Sequence, residues 1–254
     1  MSRYGLACVL LGVMITSALA AQPDARQSAY GVMSRQNQLM QDELSINPAM
    51  FWVMDGQELW TRADAPGSKT CMACHGDATT GMKGVAATFP KLVHGRLTTL
   101  EGQINRCRVQ YQRQPAFGYE TKPMLSLSTL VAAQSRGLSL TPGEGREMAP
   151  FLERGRRLYF QRIGQLNLSC AQCHDDRAGQ TLGGVVIPQG HPTGYPIYRI
   201  EWQAVGSLQR RLRNCMAGVR AERYAFGSEE LNLLETYLMH RARGMRVESP
   251  GVRP

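Results

Sequence analysis

Cys71-Met72-Ala73-Cys74-His75 recurs 99 residues later as Cys170-Ala171-Gln172-Cys173-His174. Two cysteines three apart share one face of a helical turn, so both can form thioethers to porphyrin vinyl groups while the following histidine addresses the iron. C-x-x-C-H is the attachment signature of c-type haem. A single copy also fits half of a zinc site or a redox dithiol. Two copies at matched positions, each preceded by the same local signal, point to haem.

That signal belongs to a longer repeat. Gly56-x-x-Leu59-Trp60 returns as Gly155-x-x-Leu158-Tyr159, again 99 residues on. Thr99-Leu100 with Ile104 and Cys107 returns as Ser207-Leu208 with Leu212 and Cys215, an offset of 108. Leu127, Leu130, Val131 and Gly137 return as Leu234, Tyr237, Leu238 and Gly244, an offset of 107. Four landmarks at a near-constant interval mark duplication of one unit. The apolar residues recur at helical spacing and strand signals are sparse. The expected fold is therefore mainly α, with two tandem cytochrome c-like haem domains joined by a short linker, long loops and an N-terminal arm. The expected divisions are 1–20 for a signal peptide, 21–49 for the arm and 50–137 for the first domain. A linker at 138–149, the second domain at 150–244 and a tail at 245–254 complete them.

The N-terminus reads as an export signal: Arg3, an apolar run from Gly5 to Ile15, then Ala18-Leu19-Ala20. Cys8 precedes most of that run, which argues against a lipid-anchored cysteine. No later segment is long and apolar enough to span a bilayer, so a periplasmic location without stable membrane insertion is expected. The net charge of +9 suits anionic substrates or acidic partners. Nucleic acid is disfavoured, because no compact basic run with interleaved aromatics appears.

Exported chains ordinarily pair their cysteines. Four of the six beyond the leader lie in the haem motifs. The other two, Cys107 and Cys215, occupy equivalent repeat positions, which suits a thiolate on each iron; a disulfide between them is the alternative. Met124 lies where an ordinary cytochrome places an axial methionine, but the second repeat has no counterpart. His94, His191 and His240 have no repeat-related partners.

CMACH, Asn105-Arg106-Cys107 and CAQCH, the loop from Gly194 through Tyr198-Arg199-Ile200-Glu201-Trp202 to Gln203, and Arg211-x-x-x-Cys215 running into Arg220-Ala221-Glu222 together resemble SoxA, the larger cytochrome subunit of the periplasmic SoxAX complex of sulfur oxidation. The resemblance covers about residues 45 to 244. It implies an L-cysteine S-thiosulfotransferase that couples thiosulfate oxidatively to a cysteine of the carrier SoxYZ and sends electrons to a SoxX-like monohaem cytochrome. By the same resemblance, Cys215 is both haem ligand and reacting residue, found as a persulfide, and Arg211 and Arg241 hold the substrate. Retention of the first motif with Cys107 implies the dihaem branch. The implied sites are Cys71, Cys74, Cys170 and Cys173 for two covalent haems, with His75 and Cys107, and His174 and Cys215, on the irons.

Chemistry adds two constraints. A thiolate ligand favours ferric iron and lowers the potential. Joining two sulfur species releases two electrons, whereas a haem takes one at a time. A dihaem electron carrier without sulfur chemistry is the second reading, and a dihaem peroxidase the third. The arginines Arg210, Arg211, Arg213 and Arg220 near Cys215 favour the transferase, since guanidinium forks suit oxyanions.

Overall fold

A computed structural model describes Met1 and residues 24–254. The signal-peptide and Cys8 readings fall outside the described residues. The first half contains α1 (Arg35–Asp42), α2 (Met50–Thr61), α3 (Cys71–His75), α4 (Ala78–Gly81), the hairpin β1 (Lys91–Val93) and β2 (Arg96–Thr98), α5 (Leu100–Cys107) and α6 (Lys122–Ala133). The second contains α7 (Ala149–Phe160), α8 (Cys170–His174), β3 (Thr181–Leu182), β4 (Val185–Val186), β5 (Ile197–Arg199), β6 (Ala204–Gly206), α9 (Leu208–Gly218), α10 (Glu229–Arg241) and β7 (Gly251–Arg253). The chain is mainly helical and its strands are two or three residues long.

Each half is organised by one helix crossing, α2 on α6 and α7 on α10. The repeated glycines stand at these crossings. A Cβ on Gly56 would strike the Ser126 carbonyl oxygen and lie 2.9 Å from Leu130 Cβ; one on Gly155 would strike the Leu233 carbonyl and lie 2.8 Å from Tyr237 Cβ. Backbones this close admit only hydrogen at the contact. The repeated aromatic four residues on then ties the crossing to the haem motif. Trp60 Nε1 donates to the Gly76 carbonyl at 2.9 Å, and Tyr159 Oη donates to Asp175 Oδ1 at 2.9 Å. Gly76 and Asp175 each follow the motif histidine.

The other repeated residues are caps and core. Thr70 and Ser169 cap the two motif helices, while Thr99 and Ser207 cap α5 and α9, satisfying backbone N–H groups that a helix start leaves open. Trp60, Leu127, Leu130 and Val131 pack in one core, and Tyr159, Leu212, Leu231, Leu234 and Leu238 in the other.

Two segments differ from expectation. Residues 245–254 are not a free tail: β7 pairs in parallel with β5, Val252 is fully buried, and Val247 donates to the Leu138 carbonyl at 2.8 Å. The stretch read as linker is thereby stapled to the chain end, with Leu140, Ala87, Ala242 and Val247 in a small shared core. The arm is also built in. Buried Gln41 accepts from Val252 N at 3.0 Å, and Asn47 donates to the Pro250 carbonyl at 3.0 Å.

Candidate active site and haem centres

In the second half a cavity of about 390 Å³ opens between α7, α8, α9 and α10 and the loop at 188–199. Its wall is mainly apolar, with Leu158, Tyr159, Ile163, Leu208, Leu212, Met216, Leu234 and Leu238, and it carries Cys170, His174 and Cys215. Cys173 is half-buried one helical turn along. His174 Nδ1 lies 2.7 Å from the Pro188 carbonyl, a contact that holds the proton on Nδ1 and leaves Nε2 as the ligating nitrogen.

His174 and Cys215 address one another across this space. Burial pushes the Cys215 thiol up, but its contact with His174 and the charges of Arg211 and Arg199 pull it below the ordinary thiol range. For His174 burial favours the neutral ring, yet the Cys215 contact and the Pro188 carbonyl win and raise it. The shift at Cys215 favours the thiolate, the form that ligates iron. Among the described residues no three His, Cys, Asp or Glu side chains converge to hold a bare metal ion; a haem iron asks the protein for only two. An apolar cavity with an attachment cysteine, an oriented histidine and a facing thiol fits haem c.

The first centre is more open. Cys74 and His75 are exposed, and Cys71 and Cys107 half-buried. The His75 ring lies 5.8 Å from that of Trp60. Burial is the main cause that pushes the Cys71 thiol up, and the neighbouring Cys107 is a smaller one. Gln103, the counterpart of Arg211, reaches Cys107 Sγ with Nε2 at 3.4 Å. Among the described residues no guanidinium does the same: Arg106 bonds Gln110, and Arg108 bonds Asp64 and lies 3.5 Å from the Phe117 ring centre. All six described cysteines are free, so no disulfide joins Cys107 to Cys215.

Arg211 lines the second cavity, one helical turn before Cys215. Arg241 does not line it; it is engaged by Asp175 at 2.6 Å and lies 4.8 Å from the Tyr159 ring centre. Arg210 and Arg213 occupy the other face of α9. There they border a separate surface hollow with Asn214, Arg223 and Phe226. The crowd of arginines near Cys215 in sequence thus reduces to Arg211 in space. Two others arrive from distant chain segments, Arg199 from β5 and Arg253 from β7. Arg199 stood inside the sequence motif at 194–203, but nothing in its spacing tied it to Cys215. Met124 is buried core and His94 lies in the β1–β2 turn. His191 does line the cavity, with Nδ1 held 2.9 Å from the Gln27 carbonyl of the arm.

A duplicated C-x-x-C-H unit, with a thiol facing the motif histidine in the second half, defines the class of c-type cytochromes. The chain belongs to the SoxA/TsdA cytochrome c domain family, whose pattern matches residues 55–140 and 154–247. Among its relatives, the L-cysteine S-thiosulfotransferase subunit SoxA of Pseudaminobacter salicylatoxidans is 35% identical over 213 residues, which are 82% of this chain and 73% of that one. The subunit of the same name from Rhodovulum sulfidophilum is 32% identical over 92% of this chain and 83% of its own. A crystal structure of SoxXA from P. pantotrophus superposes with a TM-score of 0.87 at 29% identity, covering 90% of this chain and 87% of that chain.

Proposed function

We propose that the protein is the catalytic subunit of an L-cysteine S-thiosulfotransferase, joining thiosulfate to a cysteine of a SoxYZ carrier and passing the electrons to a SoxX-like monohaem cytochrome. The observation that carries this reading is the enclosure of Cys215 between His174 and Arg211 in the second cavity. The first repeat offers its equivalent thiol only an amide.

Thiosulfate and the carrier thiol give the carrier S-thiosulfonate, one proton and two electrons, and two oxidised one-electron acceptors take the electrons. Cys170, Cys173, His174 and Cys215 hold one haem c; Cys71, Cys74, His75 and Cys107 hold a second. The haem supplies one-electron transfer when bound. The chain's own residues do the rest: Cys215 presents its sulfur to the substrate, Arg211 attracts the dianion, and Pro188 fixes the ring of His174. Arg241, paired with Asp175 directly after the haem motif, bears on the substrate through the position of that motif. The leader at 1–20 places the protein in the periplasm.

The test is a steady-state assay of the holoprotein with partner cytochrome, thiosulfate and carrier. Cys215→Ala should abolish turnover, whereas Cys107→Ala should alter only the low-spin signal of the first haem by electron paramagnetic resonance. Peptide mass spectrometry should find an added sulfur on Cys215 and none on Cys107. Turnover by the Cys215→Ala protein at the wild-type rate refutes the reading.

A further inference from the structure

Among the described residues three arginines line the cavity that holds Cys215: Arg199, Arg211 and Arg253. They are not equally free. Arg253 is saturated, its guanidinium bonding Gln41 Oε1, the Val252 carbonyl and Glu248 Oε2. Arg199 has one acceptor, Glu201 Oε2 at 2.9 Å, and that carboxylate is 60% exposed. The Arg199 side chain is itself 13% exposed, lies 5.3 Å from the Trp202 ring centre, and keeps a buried Nε with no partner. Burial and the neighbouring charge of Arg211 both disfavour the charged form of Arg199. Arg199 and Arg211 thus bring two guanidinium groups to one cavity wall, and the one carboxylate paired with Arg199 is the exposed Glu201.

We propose that Arg199 and Arg211 form a two-armed clamp for the sulfonate end of thiosulfate, with Arg199 the residue that selects a dianionic oxyanion at this site. This rests on the assignment of Cys215 as the reacting residue. Forked guanidinium donors match sulfonate oxygens in pairs, and an anion gripped by Arg211 stands beside the sulfur one helical turn further on.

A haem propionate is the other anion that suits such a pair, and the internal repeat argues against it. Both halves carry the attachment motif for the same haem, so a propionate device belongs in both. Arg211 is replaced by Gln103 in the first half, and the loop bearing Arg199 has no counterpart there. A pair confined to one copy follows what differs between the copies, which is substrate and not cofactor.

The experiment uses the holoprotein with its partner cytochrome and the variants Arg199→Gln and Arg199→Lys. Thiosulfate is titrated against the spectrum of the second haem, and KM is measured separately for thiosulfate and for the carrier. Loss of one charge-assisted contact should weaken thiosulfate binding and raise its KM by roughly one to two orders of magnitude. The carrier KM and the substrate-free resonance spectrum should be unchanged. Lysine should recover part of the affinity, because it restores charge without the fork. Wild-type affinity in Arg199→Gln overturns the clamp. So does a substrate-free spectrum altered in both variants, which assigns Arg199 to the haem. Failure of the function itself shows elsewhere, as a wild-type protein that does not turn over thiosulfate or a Cys215→Ala protein that does.

Discussion

Cys107 and Cys215 have the same helix position, the same haem motif upstream and the same core behind them, so their differences isolate what the reaction needs. Cys215 meets an imidazole and two guanidinium charges; Cys107 meets the amide of Gln103. Arg211→Gln copies the first site's chemistry into the second. It should lower kcat/KM for thiosulfate by roughly one to two orders of magnitude while both haems stay low-spin, checked by steady-state kinetics alongside resonance spectra. Arg241→Gln removes a contact to Asp175 and not to the cavity. Its effect should appear in kcat and in the second haem's spectrum more than in the KM for thiosulfate, as a split of the two kinetic parameters will show.

Helices in this protein are short, and their order comes from crossings rather than from length. At each crossing a glycine lets two backbones touch, and the aromatic one turn later hydrogen-bonds beyond the motif histidine. The crossing therefore sets where the histidine stands. Gly155→Ala must push α7 off α10 and should cost about 1–3 kcal/mol, the usual range for overpacking. Gly56→Ala should do the same to α2 and α6. Denaturant unfolding of the holoprotein measures the loss, and the perturbed haem should be the second for Gly155 and the first for Gly56. The same contact explains why the motif Gly-x-x-Leu-aromatic was readable in the sequence before its purpose was.

The two halves meet over a buried acidic pair, Glu101 of α5 and Glu235 of α10. Burial raises both carboxyls above the ordinary range; the charge of Glu101 raises Glu235 further, and that of Glu120 raises Glu101. Gln209 donates to Glu235 at 3.1 Å, and Tyr119 and Glu120 complete the surroundings, with Arg210 4.0 Å from Glu120. The folded protein thus binds these protons more tightly than the unfolded chain, whose carboxyls titrate near ~4.3. Stability from this pair is present at low pH and is lost as pH rises through the raised folded values. Thermal unfolding of the holoprotein should show a melting temperature that declines as pH rises above the ordinary carboxylate range, with Glu235→Gln flattening the decline. An equal slope in that variant would place the pH dependence elsewhere.

Local rules made the haem centres legible. Attachment cysteines, motif histidines, the two extra thiols and the helix caps all act within a few residues, and duplication printed each of them twice. Arg211 came from the family resemblance, and α9 puts it one helical turn from Cys215. Contacts across the chain carry no such signature. Arg210 and Arg213 are nearer to Cys215 in sequence than Arg199 or Arg253, yet helical geometry turns them to the opposite face of α9, while β5 and β7 bring the distant pair into the cavity. The chain's last residues read as a polar tail, but backbone hydrogen bonds to β5 make them a buried strand. The segment 21–49 read as an N-terminal arm before the first haem domain. Its residues Val32, Met33 and Asn37 instead close one side of the second cavity, because enclosing an apolar cofactor requires more wall than a unit of short helices supplies.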